Sequence, residues 1–114
     1  MKIYKNQSEV DADIKDGVLI VNEDVKFQFS LKVSASLRIA GNIDAGNINA
    51  GNINAWNIDA GNINAGDINA RDINFFAVAF AYISFKCKSI TGRRNNAKFF
   101  CLDKEVEITG GATV

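Results

Sequence analysis

The sequence predicts an all-β fold, a short β-solenoid with a small N-terminal helix and an aromatic C-terminal cap. Three observations lead there. From Ala40 the chain reads AGNID AGNIN AGNIN AWNID AGNIN AGDIN ARDIN, seven consecutive pentads. Residues 25–39 before it are apolar at nearly every odd position and polar between, the alternation of a half-buried strand. The segment Phe75–Phe85 after it is rich in aromatic residues. A fixed short period marks a repeat architecture. A period of five fits neither the 3.6 of an α-helix nor the three of collagen, and Asn and Gly at most other positions disfavour helix.

The elements follow in order within one domain, 1–114, divided as 1–24, a solenoid over 25–85, and C-terminal strands and tail over 86–114. Ser8-Glu9-Val10-Asp11 predicts a capping box opening a helix with Val10 and Ile14 on one face. Asp16-Gly17 turns the chain into a strand over Val18–Val21, and Asn22-Glu23-Asp24 turns it again. The alternating run 25–39 bends through a first coil, because Val33 and Ala35 already hold the phases of the repeat. In each pentad Ile and the Ala two residues later point to one side of a two-residue strand step. That pair, Ile43/Ala45 through Ile68/Ala70, faces the interior. The position two before Ile holds Gly five times, but also Trp56 and Arg71, so it faces solvent. The Asn residues flanking each Ile serve tight turns and side-chain ladders. The inward Ile phase is extended through Val78 and Ile83, and the inward Ala phase through Phe75, Phe80 and Phe85. Strands are expected over Ser89–Thr91, Ala97–Leu102 and Val106–Ile108, with a frayed tail from Thr109.

The pentads over residues 40–85 resemble the pentapeptide-repeat proteins. That resemblance implies a right-handed, four-sided β-helix with about four pentads per coil. Residue i then lies over i+20, which stacks Trp56 on Phe76 and keeps Asp44 and Asp59 apart. The seven pentads alone make about two coils, a rise of only ~10 Å.

Composition narrows function. Lys+Arg and Asp+Glu are 13 each, so neither a uniformly basic nucleic-acid binder nor a uniformly acidic DNA mimic is favoured. There is no His, which removes His-based triads and most zinc enzymes. No nucleophile, base and orienter assemble, so no catalytic residue and no cofactor are assigned, and an enzyme is not expected. Asp44, Asp59, Asp67 and Asp72 replace Asn in the repeat and are read as turn residues. Cys87 and Cys101 are read as buried, with a disulfide or a shared Cys₄ zinc site across a dimer left open. No apolar run approaches a membrane span and the N-terminus is not a signal peptide, so a cytoplasmic protein of a bacterial host cell is expected.

Charge is polarised along the chain, with a net of −3 over residues 41–74 and +3 over 75–114. The basic residues Lys86, Lys88, Arg93, Arg94 and Lys98, with the exposed Trp56, are the candidate partner-binding set, because Arg and Trp dominate interface energetics. The GNIN-A repeats followed by the CKSI-x-GRR end look similar to small proteins of phage and prophage genomes. This resemblance implies a phage-derived inhibitor of a host protein complex, a CRISPR–Cas nuclease for example, that acts by occlusion. Direct nucleic-acid contact is left open. A topoisomerase-binding DNA mimic and a structural phage assembly subunit are the alternatives. A homodimer through the apolar capped end is expected.

Overall fold

The computed structural model describes residues 1–113. It is a β-solenoid of about five turns in which all the solenoid strands run parallel, with one short helix at the N-terminus. The elements are β1 (Lys2–Tyr4), α1 (Gln7–Asp13), β2 (Val18–Val21), β3 (Val25–Phe27), β4 (Leu31–Lys32), β5 (Ser36–Ile39), β6 (Ile43–Asp44), β7 (Ile48–Asn49), β8 (Asn52–Asn54), β9 (Asn57–Asp59), β10 (Ile63–Asn69), β11 (Asp72–Phe75), β12 (Val78–Gly92), β13 (Lys98–Cys101) and β14 (Glu107–Thr113).

The coil has three sides. Ile43 pairs with Ile58 and Ile58 with Ile73, Ile48 with Ile63, and Ile53 with Ile68, each a step of 15 residues. Three pentads therefore close one turn, and the four-pentad coil implied by the family resemblance is corrected. Face A stacks β1, β3, β6, β9, β11 and the end of β12; face B stacks β4, β7, β10, β12 and β13; face C stacks β2, β5, β8, β10, β12 and β14. The long strands β10 and β12 turn corners and serve more than one face. The stacking argument for twenty residues per coil fails on both of its observations. Trp56 lies under Arg71, 15 residues on, with the guanidinium carbon 5.5 Å from the ring centroid. Asp44 and Asp59 are direct neighbours, with Lys26 paired below Asp44 and the Arg93 side chain bonded to Asp59 at 2.7 Å. Flanking cations thus relieve the repulsion that separate columns would have avoided.

The interior is as the repeat predicts. Ile43, Ile48, Ile53, Ile58, Ile63, Ile68 and Ile73 are buried, and so are Ala50, Ala55, Ala60, Ala65 and Ala70. Each buried Ile contributes roughly 1.5–3 kcal/mol. The run 25–39 does bend: β3, β4 and β5 occupy three different faces and continue the same core through Val25, Leu31 and Leu37. Coils therefore extend beyond the pentads in both directions. Turns there are longer, 18 residues from Val25 to Ile43 and 20 from Ala79 to Phe99, which hides them from a search for fives.

Asparagine ties the corners together. Oδ1 of Asn47, Asn52 and Asn57 accepts from the backbone N–H of Asn62, Asp67 and Asp72 respectively, each one coil further on. Asn62 does the same for Val78 at 3.0 Å. Corner amides that no strand can satisfy are paired in this way, so the Asn before Ile has a structural task.

The two ends differ. At the N-terminal end α1 lies over the first coil with Val10 fully buried. Its N-cap is Asn6, whose Oδ1 accepts from Glu9 N–H at 3.0 Å, two residues earlier than the expected Ser8 box. Glu9 in turn accepts from the Lys5 N–H, so Glu9 does the reciprocal work at the N3 position. Asp16 and Gly17 both have positive φ in a tight turn joining Lys15 to Val18, the demand of a two-residue I′-type connection.

At the C-terminal end the phases shift. Ile63 pairs with Ala79, a step of 16, and a bulge follows between Ala65 and Asp67. The inserted residues turn Val78 and Ile83 outward, 38% and 49% exposed, and put Ala79 and Ala81 inside. Phe75 and Phe85 are buried as expected, but Phe80 faces out; Phe99 takes its place, with its ring 6.4 Å from both Phe75 and Phe85. The aromatic cap is therefore Phe75, Phe85 and Phe99. The expected frayed tail is instead strand β14, which pairs with β12 on two faces. Gly110 makes this possible, because a Cβ there would meet the Lys88 carbonyl oxygen at 2.5 Å. Val114 lies outside the described residues.

Candidate functional site

The stacked corners place the candidate residues in three separate groups. The first lies on the corner between faces C and A. Trp56 N–H donates to the Gly41 carbonyl at 3.0 Å, Arg71 N–H to Trp56 at 2.6 Å, and Lys88 N–H to Arg71 at 2.7 Å. Gly41, Trp56, Arg71 and Lys88 thus form one column, one residue per coil. Trp56 is 57% exposed. Arg71 covers one face of its ring, a cation–π contact, while Gly41 on the next coil down has no side chain to cover the other. Beside this column on face C runs a second, in which Arg38, Asn54, Asn69 and Lys86 pair in register. Lys86 has a loose ion pair with Glu107 at 3.8 Å, a contact of little energetic weight. Arg38, Arg71, Lys86 and Lys88 make this the largest gathering of cations on the solenoid, with an aromatic ring at its edge.

The second group is a single residue. Arg93 folds back onto face A, donating to Asp59 Oδ1 at 2.7 Å, to Asn74 Oδ1 at 2.8 Å and to the Ala60 carbonyl at 2.8 Å. Its fork is occupied by the chain itself, so Arg93 straps the last coils together and neutralises the Asp44–Asp59 column.

The third group lies at the other edge of face A. Arg94 N–H donates to the Phe76 carbonyl at 2.9 Å, and Lys98 pairs in register with Val78. Both border an exposed apolar band on the upper half of face B. Phe80 is packed edge-on against Tyr82 and Phe100, at 4.6 Å centroid separation in each case. Phe76, Tyr82, Ile83, Phe100 and Leu102 are between 42% and 63% exposed.

The sequence reading gathered Arg93, Arg94, Lys98, Lys86, Lys88 and Trp56 into one set, whereas the structure divides them. It missed Arg38 and Arg71, which alignment at i+15 would have placed beside Lys86 and Trp56. It also missed the aromatic band. The signal for that band is VAFAY over 78–82, a period-two pattern whose small members face the lumen because Phe75 and Phe85 already fill the neighbouring sides.

Both cysteines are free. Cys87 is buried, and burial pushes its thiol up to about 11, with the charge of Asp72 adding to the shift. Cys101 is half-buried. Among the described residues no group of three or more acidic or Cys side chains is placed to hold a metal ion. Only the thiolate is nucleophilic, so at pH 8 Cys87 should react with a thiol reagent roughly hundredfold more slowly than a thiol of ordinary pKa. A folded-state pKa above the unfolded one means stability is full below the ordinary thiol pKa and falls as pH rises through 11. The Tyr4 hydroxyl, raised by burial and by its 2.8 Å bond to Asp13, acts in the same direction. Urea unfolding at pH 8 and pH 10.5 should therefore show lower stability at the higher pH.

No protein-family model matches this chain, and no curated protein or solved structure is significantly similar to it. The chain is a β-solenoid repeat protein by its own geometry.

Proposed function

We propose that the chain is a non-enzymatic protein-binding module whose Trp56 corner docks on an acidic surface of a partner. The observation that supports this reading is the Trp56–Arg71–Lys88 column with Arg38 and Lys86 beside it: a half-exposed indole held between coils and ringed by cations. Trp and Arg anchors of this kind lose little conformational freedom on docking, because the coil already fixes them. The narrower form of the proposal is a phage-derived inhibitor that covers a working surface of a host defence complex. A rigid parallel stack is suited to steric occlusion, since it can cover a surface without rearranging. The topoisomerase-directed DNA mimic draws little support, because the stacked acids Asp44 and Asp59 are neutralised by Lys26 and Arg93.

The test is capture from bacterial lysate on immobilised wild type and on Trp56→Ala with Lys88→Glu. A protein retained by wild type and lost by at least tenfold on the variant fits the proposal. Identical captured sets would refute the corner as the binding surface. An inhibition assay on the captured complex then tests the narrower form.

A further inference from the structure

We infer that the upper half of face B is the contact surface of a homodimer in which two solenoids lie side by side. This does not rest on the Trp56 corner, which occupies the opposite edge of face A. Phe76, Val78, Phe80, Tyr82, Phe100 and Leu102 form one continuous apolar band, with Phe80 at its centre touching Tyr82 and Phe100. A contiguous exposed patch of large side chains marks an interaction site.

The charges at the two ends of the band say what covers it. Arg94 and Lys98 stand where the chain enters face B, above Phe76 and Val78. Asp103 stands where it leaves, its N–H donating to the Tyr82 carbonyl at 3.1 Å. All three belong to the β13 layer, and they are separated by the width of the face, about 16 Å for five residues of strand. Among the described residues, no ion pair engages any of them. A two-fold axis parallel to the solenoid axis, through the Phe80–Phe100 column, sets the band of one copy on that of the other. It also brings Arg94 and Lys98 of each copy opposite Asp103 of its mate. The surface is therefore self-complementary in shape class and in charge: an apolar centre, with two symmetric polar contacts at its rim. The dimer leaves both Trp56 corners open and so presents two of them. Its surface is the side of the solenoid, not the capped end where the sequence places a dimer.

Sedimentation equilibrium of the full chain tests this. Wild type should sediment as two 12.4 kDa chains. Phe100→Glu and, separately, Asp103→Lys should each raise the dimer dissociation constant at least tenfold, with far-UV circular dichroism unchanged. Combining Asp103→Lys with Arg94→Glu and Lys98→Glu should restore dimerisation, since the reversed charges again meet opposite partners. Wild type that stays monomeric, grows into open-ended chains, or dimerises regardless of these substitutions would overturn the inference. So would a triple variant that is no tighter than Asp103→Lys alone.

Discussion

Phe75→Ala should lower the unfolding free energy by about 3–5 kcal/mol, the range for removing a fully buried ring. Phe75 has no solvent exposure and sits in the layer that Phe85 and Phe99 complete. Its loss leaves a cavity beneath β13, which pairs with β12 alone, so the last turn has little else to hold it. Most small domains have only ~5–15 kcal/mol in total. The control is its neighbour. Phe76 is 48% exposed on the outer corner, and Phe76→Ala should change stability by less than about 0.5 kcal/mol. Urea unfolding of the two variants gives the comparison directly, and near-equal losses would contradict the assigned faces.

Gly51→Val should be the most damaging change on the solvent side of the repeat, costing roughly 1–3 kcal/mol or more as forced overpacking does. Gly51 does not have a positive φ; its constraint is proximity. A Cβ there would meet the Ser34 carbonyl oxygen at 2.6 Å and the Ala35 carbonyl oxygen at 3.1 Å. Both belong to backbone of the coil below, which is tied in place because Gly51 N–H donates to the Ala35 carbonyl at 2.9 Å. The strand stack would have to separate locally. Gly46 occupies the equivalent position on another corner, where a Cβ comes no closer than 3.4 Å, to the movable Ser30 hydroxyl. Gly46→Ala should therefore be nearly neutral, or stabilising through the unfolded state. Thermal unfolding of Gly51→Val beside Gly46→Ala measures the difference.

Much of this architecture is legible in the residues, and the places where it is not have physical causes. The Ile-x-Ala pair, its dry interior and the outward Trp56 and Arg71 follow from side-chain alternation and the size of the groups that must share a narrow lumen. The number of sides does not follow, because a pentad describes one side of a coil and carries no record of how many sides close it. Column stacking is the only sequence-level handle, and it misleads here: Trp56 is satisfied by a cation as well as by a ring, and Asp44 tolerates Asp59 because Arg93, far along the chain, reaches back. The phase beyond Ile73 is lost for a similar reason. Single-residue insertions before Ala79 and at the bulge reverse every later side chain, so Phe80 passes from core to surface.

The candidate site shows the same division. Lys86, Lys88 and Trp56 are found from residue type alone. That they share an edge with Arg38 and Arg71, while Arg93 is occupied and Arg94 and Lys98 face elsewhere, depends on the 15-residue step. Three-sided closure is the proposition on which both surfaces rest.

Its most direct test is proximity between outward positions. With Cys87 and Cys101 replaced by Ala, cysteines are introduced at Asn49 and Asn64, or at Asn49 and Asn69, and labelled with pyrene. Asn49 and Asn64 pair in register on face B, whereas Asn69 lies on face C. A three-sided coil predicts strong excimer emission from the 49/64 pair, one strand spacing of ~4.8 Å apart, and only monomer emission from the 49/69 pair. Excimer from 49/69 and none from 49/64 would mean twenty residues per coil, and would contradict the account.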